Sequence, residues 1–264
     1  MANLRKLLSS FFGFLAKKIL LLQVKTLRLM EDLQVFEDIK IESYKGQYSV
    51  EFDDNQFDKV NKFTENGQHF LVDSRLYDHY GDKLKFIFEN ENCILIDASE
   101  KAKEVNNVLN IMQKLLDNGI KRNETLIAVG GGVVQDITCF ITSVLFRGIR
   151  WKFLPTTLLS QADSCIGSKS SINLGNSKNI LGTFNPPDEI LICPSFLSSL
   201  PDHEVLSGVG EIIKVHIIDG QDSFEKVSNS YDQIVTDELK LLEYIKRALL
   251  IKKKYIEIDE FDKG

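Results

Sequence analysis

The chain has 264 residues, of which 43% are hydrophobic, and its 32 basic and 38 acidic residues give a net charge of −6. This length and composition are typical of a globular protein that buries a full core, with one large domain and part of another. The acidic balance argues against nucleic acid as a partner. Four scattered cysteines without a CxxC pair argue against a zinc cluster or a disulfide scaffold and favour a reducing cytoplasm.

Residues 1–38 are a basic, apolar amino-terminal extension. Residues 1–30 contain six lysines and arginines and no acidic residue. Lys17 and Lys18 interrupt the apolar run, so it is too short to span a bilayer, and no small-residue cleavage site follows it as in a secretory signal. Two interpretations stay open: an amphipathic segment that lies on a membrane surface or a partner, or a translated leader before a start at Met30.

Alternating strands and helices begin near residue 40 and predict an α/β domain over residues 39–194. Five short apolar runs are separated by helical stretches, as in a mostly parallel sheet with crossover helices. The runs are HFLVDS, CILIDA, TLIAVG, WKFLPTT and EILICP. Between two of them, apolar residues from Val105 to Leu116 recur at helical spacing, and Gly119 follows as a helix stop.

The strands cease after Pro201, which predicts an incomplete helical carboxyl-terminal domain over residues 195–264. The segments SFEKVSNSYDQIV and DELKLLEYIKRALLIKKKYIEI are each expected to form a helix. Within the first part of this region, Glu211 and Lys214 lie at i and i+3 and share one helix face. They are either part of a site or an ordinary surface ion pair.

The glycine triplet in LIAVGGGVVQD is the clearest candidate for a binding site. A strand that ends at Val129, Gly130 to Gly132, and a helix that starts near Val133 place free backbone N–H groups at a positive helix end, which suits a pyrophosphate. Close packing is the alternative, and the strict GxGxxG pattern is absent. Asp73, at the end of an earlier strand, is either a ribose-binding carboxylate that favours NAD over NADP or an ordinary strand-end residue.

The segment from Arg147 to Pro187 is denser in polar side chains than a core strand or a surface loop requires, and it suits an anionic, hydroxylated ligand. Its motifs and those that flank it are GGGVVQD, PTTLL, DSCIGSKSSIN, KNILGTFNPP and GEIIK. In this order they closely resemble the 3-dehydroquinate synthases and the wider sugar phosphate cyclases, over roughly residues 40–264. The resemblance implies a Rossmann-like α/β NAD-binding domain followed by an α-helical metal-binding domain, with the active site in the cleft between them.

The resemblance also assigns roles to individual residues. For NAD it implies Asp73, Glu100, Lys103, Gly130, Gly131, Gly132, Asp136, Thr156, Thr157, Lys169, Lys178 and Asn179. For catalysis it implies Asp163, Lys169, Asn179, Lys214, Lys252 and Arg147. Since Arg147 would reach a substrate phosphate from the neighbouring subunit, a homodimer is implied, and Glu211 matches one ligand of a divalent metal, zinc or cobalt.

The activity implied is that of a lyase of the shikimate pathway, which serves aromatic amino acid biosynthesis. In the family, NAD⁺ transiently oxidises a ring hydroxyl, which acidifies the neighbouring C–H so that phosphate can leave. The hydride then returns, and ring opening and aldol closure give a carbocycle. The substrate expected is a heptulosonate 7-phosphate.

Departures from the family pattern keep alternatives open. Ser168 stands where glycine is usual and Cys165 also alters the loop, so a cyclase that acts on sedoheptulose 7-phosphate is an alternative. Arg75 stands where asparagine is common and can accommodate an extra phosphate. The family's two metal-binding histidines have no counterpart among His69, His79, His203 and His216.

A lone Glu211 cannot hold zinc, so the chain is expected to be truncated and inactive alone, or a non-catalytic NAD-binding fragment. A metal-dependent alcohol or glycerol dehydrogenase is disfavoured, because those enzymes resemble PTTxGTGS after the strand, whereas Thr157 is followed here by Leu158, Leu159, Ser160 and Gln161.

Overall fold

The structure, a computed structural model, describes residues 37–53, 57–64 and 69–264. The predictions about the amino-terminal extension fall almost wholly outside these residues. Residues 38–264 form one compact unit, and the predicted division between residues 194 and 195 stays a prediction. None of the described helices is long and apolar enough to cross a membrane.

Seven strands of the described chain form one sheet in the order β1-β2-β9-β6-β5-β3-β4. All neighbours are parallel except the antiparallel pair β1 and β2. The prediction of an α/β fold with a mostly parallel sheet is therefore confirmed. The strands are β1 (Ile39–Ser43), β2 (Gly46–Phe52), β3 (His69–Asp73), β4 (Cys93–Ile96), β5 (Thr125–Gly130), β6 (Arg150–Pro155) and β9 (Glu189–Ile192).

The five predicted strands are β3, β4, β5, β6 and β9. Every residue of β3 and β5 is buried, as expected for central strands that are covered on both faces. The sequence prediction missed β1 and β2. It also missed β7 (Lys169–Leu174) and β8 (Ser177–Phe184), which form a separate antiparallel hairpin. Most of β8 is exposed, so it lacks the apolar run by which the other strands were recognised.

The predicted helix between two strands is present as α4, and Gly119 follows it with φ 79°. The segment SFEKVSNSYDQIV is wrong as a single helix. It contains two helices, α7 and α8, because the backbone leaves helical geometry at Ser230. The described helices are α1 (Asp58–Thr64), α2 (Leu76–Tyr80), α3 (Lys85–Phe88), α4 (Val105–Asp117), α5 (Gly132–Val144), α6 (Asp202–Asp219), α7 (Gln221–Asn229), α8 (Tyr231–Ile234) and α9 (Glu238–Ile258).

The sheet is tied to the segments that follow it by buried polar side chains. Gln161 is fully buried, and its Nε2 donates to the carbonyls of Pro155 and Cys193, each at 3.0 Å. These carbonyls lie at the ends of β6 and β9. The Gln161 amide therefore holds the ends of both strands against the segment Ser160–Ser164. Asp237 caps α9 through hydrogen bonds from the N–H groups of Leu239 and Lys240.

Candidate functional site

The candidate site lies at the carboxyl ends of the parallel strands. Val72 pairs with Val129 in the β3–β5 register, and Gly130 pairs with Pro155 in the β5–β6 register. The N–H of Thr156 donates to the carbonyl of Gly130 at 3.0 Å, which holds the chain after β6 beside the glycine turn. Open α/β sheets bind ligands at this edge.

The three glycines of the turn meet different surroundings. A Cβ on Gly130 would lie 2.4 Å from Cγ2 of Val134, and one on Gly131 would lie 2.9 Å from Cγ2 of Thr157. A Cβ on Gly132 would meet nothing within 4 Å. Close packing therefore accounts for Gly130 and Gly131. Gly132 is the first residue of the 13-residue helix α5 and borders open space. A phosphate can approach the backbone there.

Asp73 is held by Arg75. Oδ1 of Asp73 accepts from the backbone N–H of Arg75 at 3.0 Å and from Nε at 3.1 Å, and Oδ2 accepts from Nη2 at 2.7 Å. The Asp73 side chain is only 4% exposed, whereas that of Arg75 is 57% exposed. The carboxylate predicted to bind ribose is therefore already engaged by a neighbour two residues away.

A partly buried polar network, here called the cradle network, includes Asp136 of α5 and the side chains around it. Nζ of Lys103 lies 2.8 Å from Oδ2 of Asp136 and donates to Oδ1 of Asn179 at 2.6 Å. Asn179, with φ 54°, donates its N–H to Oδ1 of Asn173, and Nδ2 of Asn173 donates to Glu100. Burial raises the pKa of Asp136 although Lys103 opposes the rise. The network brings together four predicted cofactor residues: Glu100, Lys103, Asp136 and Asn179.

A second charged group, here called the helix cluster, consists of Asp163, Glu211, Lys214 and Lys252. Asp163 lies in a π-helical turn, Ser160–Ser164, a geometry that is frequent at functional sites. Nζ of Lys252 lies 2.9 Å from Oδ1 of Asp163 and donates to its carbonyl at 2.6 Å. Lys214 lies 3.5 Å from Oδ2 and also forms a short contact with Glu211.

The charges of the helix cluster support each other. Burial alone would raise the pKa of Asp163, but Lys252 and Lys214 outweigh it and lower that pKa. The hydrogen bond with Glu211 is the main cause of a raised pKa at Lys214. Asp163 is therefore ionised and Lys214 is charged at neutral pH.

Gln135 joins the two groups, and the sequence analysis did not identify it. Its Nε2 donates to the carbonyl of Ser164 at 2.5 Å, and its Oε1 accepts from the Ser164 hydroxyl at 2.7 Å. Gln135 precedes Asp136 in α5, and Ser164 follows Asp163. The only sequence signal was its place within GGGVVQD.

Of the remaining predicted residues, Arg147, Lys169 and Lys178 are exposed, Thr157 is half-buried and Thr156 is buried. Nζ of Lys169 lies 2.6 Å from Oδ2 of Asp262, and both side chains are exposed. Arg147 is exposed at a corner where Phe146, Arg147 and Gly148 have φ values of 52°, 65° and 118°. Lys178 is exposed on β8, and the hydroxyl of Thr157 lies 2.8 Å from that of Ser160.

Metal ligation has little support in the part of the chain that the structure describes. No three His, Cys, Asp or Glu side chains there come together in a way that could hold a metal ion. Glu211 contacts Lys214 instead. His216, one turn further along α6, is buried with Nδ1 2.7 Å from the carbonyl of Ile212.

Family models match this chain over its carboxyl-terminal two thirds. The model described as 3-dehydroquinate synthase N-terminal matches residues 93–207, and the one described as 3-dehydroquinate synthase C-terminal matches residues 208–264. The 3-dehydroquinate synthase of Dictyoglomus thermophilum is 35% identical over 231 residues, which cover 85% of this chain and 64% of the relative. This chain thus spans less than two thirds of that relative's length.

Solved structures share the fold. The 2-epi-5-epi-valiolone synthase of Streptomyces hygroscopicus, solved with NAD⁺ and Zn²⁺ bound, has a TM-score of 0.73 and 25% identity, over 82% of this chain and 63% of that one. A 2-deoxy-scyllo-inosose synthase has a TM-score of 0.71 and 21% identity, over 86% and 67%. The fold is that of the sugar phosphate cyclases. This chain belongs to the 3-dehydroquinate synthase family.

Proposed function

We propose that this chain carries the NAD-binding part and the substrate-facing cations of a 3-dehydroquinate synthase. The reaction is phosphate elimination from a heptulosonate 7-phosphate followed by carbocycle formation, as in the shikimate pathway. The observation that carries the proposal is the link through α5. Gly132 opens the helix towards free space, and Gln135 of the same helix binds Ser164 beside the helix cluster. A cofactor on the turn would therefore lie next to the lysines.

The described residues fit a dinucleotide. Gly132 has open space where a Cβ would lie, at the positive end of α5, and Lys103 and Asn179 offer polar atoms beside that helix. NAD would supply the hydride acceptor for a transient oxidation. The chain's own task is to hold the dinucleotide on the turn and to keep the cradle network in one arrangement.

The helix cluster suits the substrate. Lys214 is 52% exposed, so its ammonium group can leave Glu211 and contact a phosphate oxygen. Asp163 holds Lys252 in place through both its side chain and its carbonyl. A positioned cation lowers the free energy of charge that develops on the leaving phosphate.

The described residues do not fit a divalent metal. Glu211 offers one carboxylate, and it contacts a lysine. Glu211 as a zinc or cobalt ligand, and the expected inactivity of this chain alone, stay predictions. Phosphate release should be measured with this chain alone and with a fusion to the carboxyl-terminal remainder of the Dictyoglomus relative.

A homodimer is part of the proposal, with Arg147 directed at a partner's substrate. The support is the exposure of Arg147 at a corner of three successive positive φ values, a conformation typical of functional segments. Sedimentation equilibrium should give twice the chain mass, and a monomer at all concentrations would contradict this part.

The second candidate is a cyclase for another sugar phosphate, such as sedoheptulose 7-phosphate, since the fold is shared with a 2-epi-5-epi-valiolone synthase. It rested on Ser168 and Cys165, but both side chains are buried, at 1% and 0% exposure. They therefore act through packing and not by contact with a ligand, which favours the heptulosonate.

The test has two stages. Calorimetric titration with NAD should show binding to the chain as it stands, and no heat would contradict the proposal. The fusion should then show the higher kcat/KM with the heptulosonate phosphate. Preference for sedoheptulose 7-phosphate would favour the second candidate, and NAD binding without any turnover by the fusion would favour a non-catalytic NAD-binding fragment.

A further inference from the structure

Arg75 changes the charge at the ribose end of the proposed NAD site. A free carboxylate after a strand accepts ribose hydroxyl hydrogen bonds and repels a 2′-phosphate. Here Asp73 is almost fully buried and receives three donors from Arg75: the backbone N–H, Nε and Nη2. Its charge is compensated, and most of its acceptor positions are taken.

The guanidinium of Arg75 keeps donors for a ligand. Nη1 has Glu204 of α6 as its neighbour at 3.6 Å, which is longer than a hydrogen bond. With 57% of the side chain exposed, this end of the guanidinium faces solvent. A planar, always charged fork of this kind binds phosphate oxygens well.

Arg75 also lies at the right place along the sheet. Asp73 ends β3, next to β5, and a Cβ on Gly130 would lie 3.4 Å from Cβ of Asp73. The Asp73–Arg75 pair thus borders the glycine turn, where the adenosine half of a dinucleotide has to lie if its pyrophosphate sits over Gly132.

We propose that Arg75 makes this site accept a dinucleotide that carries a 2′-phosphate, so that NADP binds as well as NAD. The inference rests on the proposed function, since it concerns the same cofactor site. A 2′-phosphate placed at Nη1 replaces the long contact with Glu204 by charge-assisted hydrogen bonds. The plain ribose instead uses the acceptor capacity that Asp73 retains.

Three carboxylates face Arg75, and they limit the effect. Asp73 binds it directly, Glu204 lies at 3.6 Å, and Asp97 at the end of β4 acts on it from further away. Their combined charge opposes a phosphate. The site is therefore permissive for NADP and not selective for it, and Glu204 is the carboxylate that a 2′-phosphate has to displace.

The experiment is calorimetric titration of the chain with NAD and with NADP, in parallel for four variants. The wild type should bind both, with dissociation constants within about tenfold of each other. R75Q should raise the ratio of the NADP to the NAD dissociation constant roughly ten- to hundredfold, because a charged donor to the phosphate is lost. R75K should raise it less. The control R122Q changes an exposed arginine before β5, at the opposite edge of the sheet, and should leave the ratio unchanged.

A variant with the opposite expected effect on NADP affinity keeps the test decisive if R75Q does not fold. E204Q removes the competing carboxylate, so it should tighten NADP several-fold and leave NAD unchanged. If the wild type binds NAD but not NADP, or if neither R75Q nor E204Q moves the ratio, the inference is wrong and the proposed NAD site stands. If neither dinucleotide binds, the proposed function is wrong as well.

Discussion

The cradle network and the helix cluster both contain lysines that contact carboxylates, yet their surroundings differ. Lys103 of the cradle network is 5% exposed, and its ammonium group is shared by Asp136 and Asn179. Lys214 of the helix cluster is 52% exposed and has two carboxylates within reach. A buried charge that loses its partner is costly, whereas an exposed ion pair adds little stability. The first group is therefore suited to fixed geometry and the second to exchange of partners.

The largest effect is expected for Lys103→Met, which leaves the partly buried Asp136 of α5 without its cation. Since Asp136 retains some exposure, the loss should lie near the lower end for broken buried pairs, about 3 kcal/mol in the free energy of unfolding. Urea unfolding measures it. The double variant Lys103→Met/Asp136→Asn should recover much of the loss. Equal losses in the single and double variants would show that the ion pair is not what Lys103 contributes.

The glycine turn gives the next largest effect, and here stability and binding should separate. Gly130→Ala forces Cβ against Val134 and should destabilise the chain by about 1 to 3 kcal/mol. Gly132→Ala has open space and should leave the free energy of unfolding unchanged or slightly higher. Only the second variant should weaken NAD binding in a folded protein. If Gly132→Ala leaves the heat of NAD binding unaltered, all three glycines serve the packing of the turn and none serves NAD binding.

These glycines also show where sequence reasoning ends. The apolar runs predicted five of the seven strands of the main sheet, and the helical spacing predicted α4, because residues that are buried in these elements are mostly apolar. The separation of Gly130 and Gly131 from Gly132 depends on Val134 and Thr157, whose contacts arise only in the folded chain. For the same reason the sequence predicted Asp73 as a ribose ligand and flagged Arg75, but not that one holds the other. The resemblance assigned roles to most residues of the cradle network and to all of the helix cluster, whereas Asn173 of the cradle network and Gln135, which links the two groups, received none.

Helix α6 combines an exposed face, which carries Lys214, with a buried one, which carries His216. Burial is the main cause of a pKa of His216 below its ordinary value of 6.5, and Nε2 is buried without a hydrogen-bond partner. The unfolded chain therefore binds this proton at a higher pH than the folded chain does. The buried, neutral His216 therefore contributes fully to the stability of the folded chain above pH 6.5, and this contribution is lost as the pH falls below that value.

The melting temperature should accordingly fall by a few degrees between pH 7 and pH 5.5. His216→Phe should remove part of this fall. His203→Gln, at an exposed position of the same helix, should leave the pH dependence unchanged. An identical pH dependence in His216→Phe and the wild type would mean that protonation of His216 does not destabilise the folded chain.

The smallest effect on stability, and the sharpest contrast with Lys103, is expected for Lys214→Met. Its partners Asp163 and Glu211 retain solvent contact, and Asp163 keeps Lys252. The free energy of unfolding should change by no more than about 0.5 kcal/mol, as for the control Lys85→Met in an exposed pair with Glu89. Affinity for the heptulosonate phosphate in the presence of NAD should nevertheless fall roughly tenfold or more, since a charged donor is lost.

If Lys214→Met destabilises the chain as much as Lys103→Met, the two groups contribute equally to stability and the contrast between them is wrong. A stable variant that binds the sugar phosphate as well as the wild type would leave the contrast standing and remove Lys214 from the substrate site.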